Sequence, residues 1–248
     1  MGNSYSFFAE YYDSLTENVN YPARASYFNK LIRKFGGKAN GILLDLACGT
    51  GSLSEQMALL GYDVIGADIS EDMLNEALNK KFESGLNIQY IRQDMRYLDL
   101  FGSVDVTICA LDALNHLHEI SDIKKVFERV SMFSEPGSLF IFDVNTAYKH
   151  KEILGENVFV YETDDVFCVW ENHYIEKNDE VRIKLDFFER DGEKYNRYTE
   201  CFSEYAYDMD RITALLSETG FKLEACYDCD SFNPVHDKTE RMIFIAKK

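Results

Sequence analysis

The sequence predicts an α/β fold: a mostly parallel sheet flanked by helices, with an antiparallel β-meander inserted late in the chain. Three observations carry this reading. Between residues 42 and 144 short apolar runs alternate with segments of helical period, the pattern of strands joined by crossover helices. From about residue 158 to 207 long β-rich runs follow one another, broken at Asp164-Asp165, Asn178-Asp179 and Asp191-Gly192, which are hairpin turn signals. The chain of 248 residues is long enough for one α/β domain carrying such an insertion.

The elements follow in order. Phe7, Phe8, Tyr11, Tyr12 and Leu15 fall at helical spacing, and so do Tyr27, Phe28, Leu31, Ile32 and Phe35, a second helix stopped by Gly36-Gly37. Residues 42–46 form an apolar strand, 53–60 a helix closed by Gly61, and 63–67 a second strand. Ser70 caps the helix 71–81, with Glu71 and Asp72 in the first turn, where the helix dipole favours acids. Strands are expected at 88–92 and 104–110 and a helix at 120–133. Glu135-Pro136-Gly137 reads as a turn before a fifth strand at 138–144. The meander takes runs 158–163, 166–176, 181–190 and 194–207. A helix over 210–219 is stopped by Gly220, and 221–227 with 241–246 form a last strand pair.

The densest chemical signal is Leu43-Leu44-Asp45-Leu46-Ala47-Cys48-Gly49-Thr50-Gly51-Ser52-Leu53. A strand ends, glycines alternate, and a helix begins. Glycine permits positive φ and close approach of a ligand to the backbone, and open α/β sheets bind ligands outside the carboxyl ends of their strands. A dinucleotide site asks for G-x-G-x-x-G. In one register Ala47 takes its first position, and in the other Ser54 takes its last, so neither fits. S-adenosylmethionine (SAM) has no phosphate and needs no third glycine. Asp68, at the end of the second strand, is placed to accept from ribose hydroxyls, or else caps the next helix. Asp94-Met95, after the third strand, pairs an acid with an apolar side chain, suited to an adenine amino group and ring face.

These stretches, D-L-A-C-G-T-G, then A-D-I-S-x-x-M-L, then Q-D-M, then D-V-T-I-C-A-L-D-A-L-N-H-L, resemble the successive motifs of class I SAM-dependent methyltransferases over essentially the whole chain. The resemblance implies a Rossmann-like seven-stranded methyltransferase sheet whose last strand runs antiparallel, with the β-meander inserted. It divides the chain into a helical cap (1–40), a SAM-binding domain (41–150 and 208–248) and a meander subdomain (151–207). Within the family the chain looks similar to N-methyltransferases of nucleotide-linked amino sugars, which share the Tyr12-Asp13 pair and a histidine after strand four, here His116. It departs from them in Leu111-Asp112-Ala113-Leu114, where that group is serine-rich.

By the resemblance, Asp45 and the backbone around Ala47, Gly49 and Gly51 hold the methionine end of SAM. Asp68, followed by Ile69 and Met73, takes the ribose side, Asp94 and Met95 take the adenine, and Ala110 lies near the sulfonium. Tyr12 and Tyr21 close over the cofactor, with plain aromatic core as the alternative. Arg24 meets the SAM carboxylate or lies on a solvated helix face. His116 is the candidate base, or else a structural histidine, while Asp112 and Asn115 are expected to orient the acceptor. On the meander, Tyr174 and Tyr198 are candidate acceptor contacts on what is either a substrate wall or a dimer surface.

The formal charge of −17 opposes a phosphate backbone and an anionic membrane surface. A small-molecule substrate is therefore expected, with no nucleic-acid and no membrane partner. Methylation of RNA or protein, and a non-catalytic or NAD-binding protein of related fold, are the rival classes. No signal peptide is read at the N-terminus. The six scattered cysteines fit a reduced cytoplasm. Cys226 and Cys229, with His236, fall short of the four ligands of a structural zinc site, so no metal is expected.

Overall fold

The computed structural model describes residues 9, 11–13 and 19–248. Of the first predicted helix, residues 9 and 11–13 are helical, while Phe7, Phe8 and Leu15 lie outside the described residues.

Helix α1 (Tyr21–Lys34) starts where Asn20 accepts from the Ala23 amide at 3.0 Å with Pro22 in the first turn, and it buries Phe28, Leu31 and Ile32, one helical face. Strand β1 (Ile42–Leu46) leads into α2 (Ser52–Leu59), and β2 (Asp63–Asp68) into α3 (Glu71–Ser84). The Ser70 hydroxyl caps α3 by accepting from Met73 at 3.2 Å, and Gly85, at φ 67°, ends it. Then come β3 (Ile88–Arg92), β4 (Val104–Cys109), α4 (Ile120–Met132) and β5 (Ser134–Asn145). The predicted Glu135-Pro136-Gly137 turn lies inside β5. Val104 pairs with Ser134 and Val106 with Leu139, so the extra residues loop out of the ladder as an exposed bulge, with Gly137 at φ 98°.

The meander is β6 (Val158–Glu162), β7 (Val166–Ile175), β8 (Glu180–Asp191) and β9 (Lys194–Tyr205), followed by α5 (Met209–Glu218), β10 (Lys222–Asp228) and β11 (Arg241–Lys247). Among the described residues the strands form two sheets. One has seven strands in the order β10-β11-β5-β4-β1-β2-β3, with β11 antiparallel to both its neighbours; the other is the four-stranded antiparallel meander.

Because the large sheet is covered on both faces, its strands are continuous apolar runs and successive residues serve opposite cores. Leu139, Ile141, Ile243 and Ile245 meet Phe28, Leu31 and Ile32 of α1 on one face. Phe140, Phe142, Val144 and Phe244 meet Phe127 of α4 and Leu216 of α5 on the other, where the rings of Phe142 and Phe244 stack at 5.1 Å. Each such buried ring contributes about 1.5–3 kcal/mol by its removal from water. Two polar residues interrupt this pattern at the end of β5: Asp143 and Asn145, on the α1 side with Leu139 and Ile141. The meander has its own core of Leu154, Val166, Cys168, Val181, Ile183, Leu185 and Phe187.

Candidate active site

The carboxyl ends of β1, β2 and β3 make the first half of the site. Beyond β1 the backbone turns left-handed at Ala47 (φ 61°), Gly49 (φ 53°) and Gly51 (φ 75°). A left-handed alanine costs roughly 1–2 kcal/mol, and strain of this kind gathers at functional sites. The two glycines do different work. A side chain on Gly51 would collide with the Tyr90 hydroxyl, whereas a Cβ on Gly49 would meet nothing within 4 Å. Gly49 thus leaves an open cradle above its backbone.

Two carboxylates lie beneath and beside this turn. Asp45 is buried, accepts from the Ser54 hydroxyl at 2.6 Å, and is pushed up to about 7 by burial. Asp68 accepts from the amides of Gly49 and Ser70, each at 2.8 Å, and burial raises its pKa against those two donors. Ile69 stands on the rim, more than half exposed, while Met73 is buried in α3. Asp94 is committed within the protein. Its oxygens accept from the Arg96 guanidinium at 2.6–3.1 Å and from the Arg96 amide at 2.9 Å, which holds its pKa below the ordinary range. Met95 is half-buried against the core.

The N-terminal segment reaches this turn. Asp13 accepts from Thr50 Oγ1 at 2.8 Å and Ser52 Oγ at 3.0 Å, and pairs with Lys80, which itself donates to Ser52 at 2.6 Å. Next to it, the Tyr12 hydroxyl is held protonated by burial and then by the proximity of Tyr21 and Asp112. Tyr12, Tyr21 and Asp112 are thereby brought together.

The second half is built at the ends of β4 and β5. After Ala110, Leu111 (φ 59°) and Asp112 (φ 57°) are both left-handed, costing roughly 1–3 kcal/mol each. Their amides donate to the two oxygens of the fully buried Asp143, at 3.0 and 2.7 Å. Arg241 donates to Asp112 at 2.5 Å, and its Nε lies 3.8 Å from Asp143. Lys149 Nζ is 3.8 Å from Asp112. Burial opposes ionisation of Asp112, but Arg241 and then Lys149 outweigh it and keep the carboxylate charged. Arg24 is not on a solvated face. Its side chain is 11% exposed and reaches Asp143 at 3.5 Å and Asp230 at 3.0 Å.

His116 is exposed, its ring centroid 5.3 Å from that of Phe202 on β9. Ligand-type atoms of His116, Asp112 and the buried Glu204 lie within 4.8 Å of one another. Glu204 is also tied to Asn145 Nδ2 at 2.9 Å. Asn115 was expected to face the acceptor. It is wholly buried and its side chain is used by the protein: it donates to the carbonyls of Tyr205 (2.8 Å) and Asn145 (3.2 Å) and accepts from the Asn145 amide (2.9 Å). On the meander, Tyr174 donates to Asp179 at 2.6 Å. Tyr198 donates to Glu189 at 3.4 Å, the same carboxylate that receives Tyr11 at 3.1 Å. The Cys229 thiol is pushed up to about 12 by burial, and His236 faces Asp228.

Residues 43–137 match the family described as methyltransferase domain. Over 247 residues the chain is 32% identical to a protein of Geobacillus sp. (strain WCH70) bearing a provisional methyltransferase name, covering 99% of this chain and 100% of that one. The solved structure of an S-adenosylmethionine-dependent methyltransferase from Clostridium acetobutylicum ATCC 824 superposes with a TM-score of 0.88 at 35% identity, covering 99% of each chain. The chain belongs to the SAM-dependent methyltransferases. A more distant likeness, in fold alone, is to the SAM-bound amino pentose methyltransferase CalS10 of Micromonospora echinaspora, with a TM-score of 0.75, 19% identity, and coverage of 93% and 92%.

In this methyltransferase the open cradle over Gly49, the acid at the end of β2 and the exposed Ile69 fit a cationic, adenosine-bearing donor. Sequence reasoning assigned no role to Asp143, Asn145, Lys149, Glu204 or Arg241, and noted Asp13 only through the Tyr12-Asp13 pair. For two of them a signal existed: Asp143 and Asn145 are the polar exceptions in the otherwise apolar run 139–145.

Proposed function

We propose that this methyltransferase moves the SAM methyl group to a nitrogen or oxygen of a small molecule that sits between the 110–116 loop and the meander. The observation that carries the reading is the meeting of Asp112 and His116, from the loop, with Glu204 and Phe202, from the meander. A polar cavity of about 370 Å³ adjoins this cluster at Lys149 and Arg241. The formal charge of −17 disfavours a nucleic-acid acceptor, and no helix among the described residues is long and apolar enough to cross a membrane. CalS10 acts on an amino pentose, and the shared fold supports an acceptor of that size.

SAM supplies the electrophilic methyl group. The chain's part is to align and to exclude water. The Ala47–Gly51 turn, Asp68 and Ile69 hold the donor, and the Asp13–Lys80 pair with Tyr12 covers it. The 110–116 loop presents the acceptor, and His116 takes its proton where it arrives protonated. The division of labour follows the chain: 41–150 with 208–248 bind SAM, 151–207 wall the acceptor, and from the helical cap Tyr12, Asp13 and Tyr21 cover the mouth.

A screen of amines, sugars and carboxylates with methyl-labelled SAM tests this. Label is expected in at least one low-molecular-weight acceptor. Label entering only RNA or protein fractions would overturn the reading.

A further inference from the structure

The end of β5 carries two polar side chains on the same face, two residues apart, and both reach the 110–116 loop. Asp143 receives the amides of Leu111 and Asp112, one on each oxygen. Asn145 donates to Asp112 at 2.9 Å and to Glu204 at 2.9 Å, and its backbone is locked to Asn115. Leu111 and Asp112 are consecutive non-glycine residues in the left-handed region, and a branched side chain such as Leu is rarely found there. Something must hold them, and among the described residues their amides are accepted by the two Asp143 oxygens. This carboxylate has no exposure and lies beside two guanidinium groups, Arg24 at 3.5 Å and Arg241 at 3.8 Å, and each of its oxygens accepts one of the two amides.

We propose that Asp143 is a positioning residue for methyl transfer: it clamps the strained Leu111-Asp112 backbone and so fixes where the loop places Ala110, Asp112 and His116 against the acceptor. It touches neither donor nor acceptor. The clamp rests on the reading of 110–116 as the acceptor loop only for its catalytic consequence; its structural part stands apart from that reading.

Asp143→Asn keeps the shape but turns one accepting oxygen into a donor that faces an amide. In the full chain, hydrogen exchange at Leu111 and Asp112 is expected to speed by about ten-fold or more, while Val106 to Ile108 in β4 stay protected. SAM affinity by calorimetry is expected to stay within about two-fold, and kcat with an acceptor found by the labelled screen to fall about ten-fold or more. Adding Leu111→Gly should recover part of that loss, because glycine takes positive φ without an anchor. Unchanged exchange at 111 and 112, a loss of SAM affinity equal to the loss of kcat, or no rescue by Leu111→Gly would each overturn the proposal. If Asp143→Asn does not fold, Asp143→Glu, which keeps the charge and shifts the oxygens by one methylene, must show the faster exchange, and wild-type exchange there would overturn it. If the amides respond as expected and no small acceptor is ever labelled, the clamp stands and the proposed function falls.

Discussion

The two halves of the candidate site, where we propose that donor and acceptor bind, are made from different materials. On the donor side, at β1 to β3, the backbone makes the site: a left-handed turn, two glycines with separate reasons to be glycine, and amides aimed at Asp68. On the acceptor side, at β4, β5 and β11, side chains make it: Asp112, Asp143 and Glu204 set against Arg24, Lys149 and Arg241. A backbone-built site depends on local conformation and tolerates few residue types. A charge-built site depends on balance, so its members stand or fall together.

The largest expected effect is therefore on the acceptor side. Arg241→Met takes from Asp112 its nearest cation and leaves the buried Asp143 with Arg24 alone, and loss of one partner from a buried pair costs about 3–5 kcal/mol. Urea unfolding measures it. The donor-side counterpart, Lys80→Met, removes a partly exposed ion pair with Asp13 and is expected to cost less than about 1 kcal/mol. Equal losses would break the comparison.

One acid from each side, Asp45 and Asp112, responds oppositely to pH. Burial raises the Asp45 pKa from 3.8 to about 7, so the folded protein binds this proton more tightly than the unfolded chain. Its contribution favours folding below about pH 4 and is lost as pH rises to about 7. Asp112 is shifted downward, so its contribution is present above its ordinary pKa of 3.8 and is lost as pH falls below that value. Asp45→Asn is expected to remove a decline of about 2–4 kcal/mol between pH 4 and 7. Unfolding free energies of both proteins across that range check it; parallel curves would contradict the assignment.

A smaller effect separates the two glycines. Both substitutions pay for a left-handed alanine, roughly 1–2 kcal/mol. Gly51→Ala also strikes Tyr90 and should lower the melting temperature more, whereas Gly49→Ala places a methyl group in the open cradle and should weaken SAM binding more. Calorimetry of unfolding and of SAM binding distinguishes them.

The same contrast explains what was legible in the sequence. The donor turn lies within a few consecutive residues, and its glycines, Asp68 and the Ser70 cap are visible as a local pattern. Alternation marked the strands of the large sheet, and the family resemblance implied seven of them with an antiparallel last strand. The acceptor network was not legible, because its partners are far apart in sequence: Asp112 meets Arg241, Asn145 meets Glu204, and Arg24 meets Asp230. Asn115 shows the cost of reading polarity without burial, since an amide beside the expected base turns out to hold the loop to β5 and β9. Asp94 likewise looked available until Arg96, two residues on, folded back onto it.

The central claim is that donor binding and acceptor chemistry are carried by separate ends of the sheet. SAM titration by calorimetry of Asp68→Asn and His116→Ala, side by side with wild type, tests it most directly. The account predicts about ten-fold or more weaker binding for Asp68→Asn and a change within about two-fold for His116→Ala, whose turnover alone falls. Equal loss of SAM affinity in the two variants would contradict it.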